Sequence, residues 1–206
     1  VNNFYYFLAV VPSIILHEVS HGFVANHYGD PTAKNAGRLT LNPLVHIDPF
    51  GTVLLPLLLY FTGAPVFGYA KPVPVNVSRL RNQRTQSLYV SLAGPLVNII
   101  LSLIGLGICY YAAHVSQSLT TYYVGLYIGL PNLLLAVFNL IPIPPLDGSA
   151  IVEFFVPRSK LGSYYQFRAR AMPFVMVFVF LAFWVFHFGN SALVDLENWW
   201  QNLALK

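Results

Sequence analysis

Charged side chains are scarce in this chain. Of 206 residues only 9% are Asp, Glu, Lys or Arg, against about 25% in soluble domains. No charged residue stands before Glu18, from Thr85 to Leu146, or from Ala171 to Val194. Runs of that length satisfy their backbone in lipid only as helices or as a closed barrel. Period-two alternation is missing as well, which excludes the barrel. A single cysteine, Cys109, rules out an intrachain disulfide or a thiolate metal cluster, and its apolar surroundings make it core filling. No internal repeat of the kind found in transporter halves is present, nor any low-complexity tract. The first apolar stretch has no basic region before it, so it does not read as a cleaved signal peptide.

What remains is rich in apolar (56%) and aromatic (16%) residues. The expected fold class is an all-α polytopic membrane protein, a single membrane-embedded domain over residues 1–206 with a core at 4–156 and a last span and tail at 172–206. Four stretches are long enough to cross about 30 Å of hydrocarbon as helices: Phe4 to His27, Leu88 to Ala113, Tyr122 to Leu140 and Met172 to Phe188. From Pro49 to Ala70 the chain is uncharged but interrupted by Pro49, Gly51, Pro56, Gly63, Pro65 and Gly68, so it is expected to dip into the bilayer and return as a re-entrant loop or hairpin. The tail sets Leu193, Leu196, Trp199, Trp200 and Leu203 at near-helical spacing, the pattern of an interfacial helix with Trp anchors.

The net charge of +4 does not point to nucleic acid, because the basic residues fall in loops beside apolar spans. With a re-entrant segment, Lys34, Arg38, Lys71, Arg79, Arg81, Arg84, Arg158, Lys160, Arg168 and Arg170 share one side, leaving only Lys206 of the eleven. Positive loops stay cytoplasmic, so four spans with both termini outside is the expected topology.

Chemistry enters at His17-Glu18-Val19-Ser20-His21. Residues four apart on a helix lie about 40° apart around the axis and roughly 6 Å along it, so two imidazoles reach one tetrahedral ion. Glu18 sits beside them, near enough to take a proton from water without being a ligand. Three ionisable groups within a span point to a functional site, since each is costly in lipid without a partner. A catalytic zinc takes three protein ligands, and two sources for the third are open. Asp147 ends Asn139-Leu-Ile-Pro-Ile-Pro-Pro-Leu-Asp147-Gly148, where Pro142, Pro144 and Pro145 break the third span and Gly148 permits a tight turn. The first and third spans run in the same direction, which brings Asp147 and HExxH to the same cytoplasmic end. His46 with Asp48 is the rival. His27, His114 and His187 have no such company and read as boundary or packing residues.

Together these pieces resemble the site-2 protease family of intramembrane zinc metalloproteases, and more narrowly its small members without PDZ or CBS domains. HEVSHG at 17–22 is similar to the family's HExxH helix and NLIPIPPLDG at 139–148 to its NxxPxPxxDG element. HIDPFGT at 46–52, GYAKPVPVN at 68–76 and AGPLVN at 93–98 follow in family order. The resemblance implies one Zn2+ held by His17, His21 and Asp147, Glu18 as general base and acid, Asn98 near the scissile carbonyl, and Asn139 holding substrate. It further implies that the 46–76 region offers an edge to an extended substrate. The expected partners are the lipid bilayer and a transmembrane protein or peptide as substrate. Other classes leave distinct marks: a proton-coupled metal transporter needs access from both faces, and a silent membrane-segment binder would not need the intact HExxH with Asp147. A prenyl-protein type of zinc protease would take its third ligand elsewhere, with Glu153 as the candidate.

Overall fold

The computed structural model describes residues 3–62, 70–184 and 190–205. Among these the secondary structure is helical throughout: α1 (Asn3–His27), the short turns α2 (Thr32–Asn35) and α3 (Pro43–His46), α4 (Leu55–Thr62), α5 (Gln83–Tyr111), α6 (Leu119–Leu140), α7 (Ser149–Phe155), α8 (Leu161–Trp184) and α9 (Asn190–Leu205). Leu8–His27, Gln83–Ser116 and Leu119–Asn139 are long and apolar enough to cross a membrane. They coincide with the first three expected spans, and the chain is an integral membrane protein.

α5 shows why these helices belong in lipid. Val90, Gly94, Asn98, Ser102, Gly105 and Cys109 recur every three or four residues and are all buried, whereas Leu96, Ile100, Leu103 and Ile104 on the other side are exposed, Leu103 to 60%. A water-soluble helix buries its apolar stripe; this one buries its small and polar stripe, because lipid welcomes leucine and helix pairs in a membrane associate through small residues. α6 meets it with Gly125 and Gly129. A Cβ on Gly125 would stand 2.7 Å from both Cys109 Sγ and the Gly105 carbonyl oxygen, so the two backbones close to a distance only glycine allows. Cys109 is fully buried in this seam, as expected, and its Sγ donates to the Tyr122 carbonyl at 3.3 Å.

α4 has eight residues and is therefore about 12 Å long. Asp48 caps the π-helical turn before it by accepting from Phe50 and Gly51 N–H. The expected break at Gly63, Pro65 and Gly68 lies outside the described residues. α8 begins at Leu161, well before the expected Met172, so Arg168 and Arg170 are helical rather than loop residues. The reason is a pairing that charge counting does not see: Arg168 reaches back to Glu153 of α7 at 3.2 Å. The residues beyond Trp184 in the expected fourth span lie outside the described ones up to Asn190. α9 packs on α5 and α6, where Trp200 is buried and donates its indole N–H to Ser102 Oγ at 3.2 Å, while Trp199 faces outward.

Candidate metal centre

The HExxH residues occupy the C-terminal half of α1, and their spacing brings the two imidazoles edge to face with centroids 4.7 Å apart. Asp147 arrives from the other end of the sequence. After Leu140 the proline run stops α6, the Gly148 N–H returns to the Asn139 carbonyl at 2.7 Å, and α7 starts at Ser149. The turn points the Asp147 carboxylate at both rings, with Oδ2 3.1 Å from His17 Nε2 and 3.4 Å from His21 Nε2. The two Nε2 atoms are 3.1 Å apart. Among the described residues this is the one group of three or more possible ligands gathered around a point.

Proton accounting tests whether a cation fits there. A neutral imidazole has one N–H, and its other nitrogen carries the lone pair. His21 Nδ1 lies 2.7 Å from the Val90 carbonyl, a pure acceptor, so the proton sits on Nδ1. His17 Nδ1 likewise donates to Asn98 Oδ1 at 2.6 Å. Both Nε2 lone pairs therefore face Asp147 Oδ2, a buried oxygen with no hydrogen-bond donor. Three converging lone pairs repel unless a positive ion lies among them. With zinc bonds of about 2.0–2.1 Å, adjacent ligand atoms of a tetrahedron stand roughly 3.3 Å apart. The observed edges of 3.1, 3.1 and 3.4 Å match.

The wall behind these lone pairs is Gly94. A Cβ there would lie 2.5 Å from His17 Cε1 and from His21 Nε2, and 2.6 Å from His17 Nε2. Glu18 is oriented from a third direction, its Oε2 accepting the Val73 N–H at 2.9 Å. Pro72 and Pro74 flank Val73 and have no N–H, so Val73 is the sole backbone donor of that triplet. The segment is pinned on both sides of this contact: Lys71 N–H bonds the His46 carbonyl at 2.9 Å, Arg38 Nη2 the Lys71 carbonyl at 2.6 Å, and Asn76 N–H the Asp30 carboxylate at 2.5 Å. Residues 70–76 thus lie against α1 at Glu18 and form neither helix nor strand.

The remaining candidates are distributed as follows. Asn98 is completely buried, with Oδ1 on His17 and Nδ2 donating to Asn132 Oδ1 at 2.7 Å, so both polar atoms of its amide are committed behind a ligand. Asn139 turns its Nδ2 back to the Leu135 carbonyl at 2.9 Å at the end of α6. His46 Nε2 bonds the Thr40 carbonyl, Asp48 caps the turn at Pro49, and Glu153 pairs with Arg168 and Tyr165; none of the three joins the cluster. Sequence reading did not single out Gly94, Val73 or Asn132. A glycine beside a proline in a helix interior signals a close approach, and an isolated N–H between prolines signals a dedicated donor; Asn132 has no such local mark.

An HExxH helix joined to a carboxylate from a proline-broken helix, inside membrane-crossing segments, defines a membrane-embedded zinc metalloprotease. The chain belongs to peptidase family M50, matching it over residues 5–121 and 106–183. It is 38% identical over 212 residues to YwhC of Bacillus subtilis strain 168, covering 98% of this chain and 90% of that protein. It is 33% identical over 142 residues to Rip2 of Mycolicibacterium smegmatis, covering 68% of this chain and 53% of the relative. With Rip2 of Mycobacterium tuberculosis strain H37Rv it shares 31% over 173 residues, 83% of this chain and 63% of the relative. All three carry the provisional name of zinc metalloprotease. The chain thus spans most of the Bacillus relative and roughly half to under two thirds of the mycobacterial ones. No solved structure matches it.

Proposed function

We propose that this protein cleaves peptide bonds within or beside the transmembrane segments of other membrane proteins, as a step of regulated intramembrane proteolysis, with Glu18 as the general base. The observation that carries this reading is the location of the candidate ligands: His17 and His21 lie on one membrane-crossing helix and Asp147 in the turn that follows another, so the substrate comes to them from the bilayer. Zinc at this centre supplies Lewis acidity, which makes water more acidic and polarises a carbonyl. Glu18 takes the proton from the attacking water and returns it to the leaving nitrogen. Its carboxylate needs no reorganisation for this, because the Val73 N–H already fixes one oxygen. Asn139, at the end of α6 beside the break, is the amide we assign to holding the substrate chain; Asn98, expected near the scissile carbonyl, has both amide atoms engaged by His17 and Asn132 and serves the centre through His17 instead.

The basic loops put the site toward the cytoplasmic side, with both termini outside. The segment around α4 dips in and returns, since even the 14 residues from Pro49 to Thr62 reach only about 21 Å against roughly 30 Å of hydrocarbon. The test is zinc per chain together with cleavage of a membrane-spanning peptide, for wild type and Glu18→Gln. Glu18→Gln retains the metal and loses cleavage by about 100-fold or more. Zinc flux in proteoliposomes that persists in Glu18→Gln would instead make the protein a transporter, and zinc-loaded wild type without cleavage would make it a silent binder of membrane segments.

A further inference from the structure

The two histidine ligands reach the same protonation pattern by different routes. His21 donates to a backbone carbonyl, which accepts and never donates. His17 donates to Asn98, and an amide side chain has two faces: turned over, its Nδ2–H would meet His17 Nδ1 and drive the ring proton to Nε2, the nitrogen needed for the metal. Something must fix that amide. Asn98 Nδ2 donates to Asn132 Oδ1 at 2.7 Å, so the question passes to Asn132. Asn132 Nδ2 in turn donates to the Ile128 carbonyl at 2.8 Å and to Ser13 Oγ at 2.8 Å. Ser13 Oγ donates to the Ala9 carbonyl at 2.8 Å.

The chain of donors ends on two backbone carbonyls, at Ala9 and Ile128, and these dictate its direction. Turning Asn132 over would set its oxygen against the Ile128 carbonyl, acceptor against acceptor. Ser13, Asn132 and Asn98 are 4%, 1% and 0% exposed, so water does not substitute for a lost partner. We infer that Asn132 is a positioning residue for the metal centre: through Asn98 it holds His17 in the tautomer whose Nε2 lone pair faces the metal, and Ser13 completes the relay across α1, α5 and α6. This rests on His17 being a ligand and adds a residue that the HExxH and Asp147 pattern does not contain.

The experiment uses the full chain in detergent, stripped of metal. Zinc affinity is measured by competition with a chromogenic chelator for wild type, Asn98→Leu, Asn132→Leu and the double variant. Asn132→Leu weakens zinc by about 10- to 100-fold, and the double variant binds no more weakly than Asn98→Leu alone, because the effect of Asn132 passes through Asn98. A residue that only packs helices would lower the melting temperature and leave the affinity unchanged; wild-type affinity in folded Asn132→Leu, or losses that multiply, overturns the inference. Independently of any variant, 15N spectra of histidine-labelled, metal-free wild type at alkaline pH show His17 protonated at Nδ1. A His17 Nδ1 that carries the lone pair instead overturns it equally. Wild type that binds no zinc defeats the metal centre itself, an outcome the tautomer spectrum reads separately.

Discussion

Gly94→Ala is the smallest change that puts the metal centre under strain. The new Cβ would stand 2.5 Å from His17 Cε1 and His21 Nε2 and 2.6 Å from His17 Nε2, where carbon and nitrogen neighbours rest at about 3.5–4.0 Å. Each ring must therefore retreat by about 1 Å, whereas ligand distances tolerate only about 0.2 Å. His21 retreats only by releasing the Val90 carbonyl, and His17 only by releasing Asn98. Zinc content after dialysis falls from one per chain toward zero, and cleavage falls with it. The matched control is Gly107→Ala on the same helix, where an added Cβ meets nothing within 4 Å. Both substitutions gain the same helix propensity, up to about 1 kcal/mol, so any difference between them is space alone. If Gly94→Ala keeps a full equivalent of zinc at wild-type affinity, the ligand geometry described above is wrong.

Asp147→Asn loses zinc retention while Glu153→Gln keeps it, measured as metal per chain after gel filtration, because only the first carboxylate faces the histidines. Asp30→Asn destabilises the junction between α1 and the 70–76 segment by about 1–3 kcal/mol, read as a lower melting midpoint, since the fully buried carboxylate accepts from Thr32 Oγ1, Thr32 N–H and Asn76 N–H. Burial pushes the Asp30 carboxyl up, but those hydrogen bonds with Arg79 nearby outweigh it and hold it below its ordinary value of 3.8. The stability it contributes is therefore present above pH 3.8 and lost as pH falls through the lower folded value, a loss absent from Asp30→Asn.

Sequence made the candidate ligand cluster legible because its chemistry is local: HExxH needs only helical periodicity, and three prolines before Asp147 leave the chain no choice but to turn. The three core spans were legible for the same reason, uncharged runs of sufficient length. What escaped was set by neighbours distant in sequence. Arg168 and Arg170 read as loop residues by charge, yet Glu153 supplies a partner that lets α8 start at Leu161. Trp199 and Trp200 carry the same interfacial signal, but Trp200 turns inward to Ser102, against the seam of α5 and α6, and only Trp199 remains outside at 54% exposure. Spacing along α9 does not reveal that Gly129 leaves a hole for an indole. Val73 escaped because its contribution to Glu18 is a backbone N–H, which no inventory of side chains contains.

The position of Gly94 ties the helix ladder to the metal site. In α5 the Val90 carbonyl is the natural acceptor for the N–H of residue 94, four positions on. The same oxygen has a second lone pair, and His21 takes it. An imidazole approaches a carbonyl already engaged in a helix only from the flank, and that flank is where a side chain at 94 would project. Glycine at 94 thus leaves space for both Nε2 atoms and opens the approach of His21 to its orienting acceptor. Pro95, by withholding the next N–H, frees the Ser91 carbonyl from the ladder on the same turn. A Gly-Pro pair looks like a helix breaker, yet α5 runs unbroken through it from Gln83 to Tyr111. In lipid, with no water to reward an open backbone, continuing the helix is the lower-energy course, and the cost of the pair is offset by the imidazoles it admits.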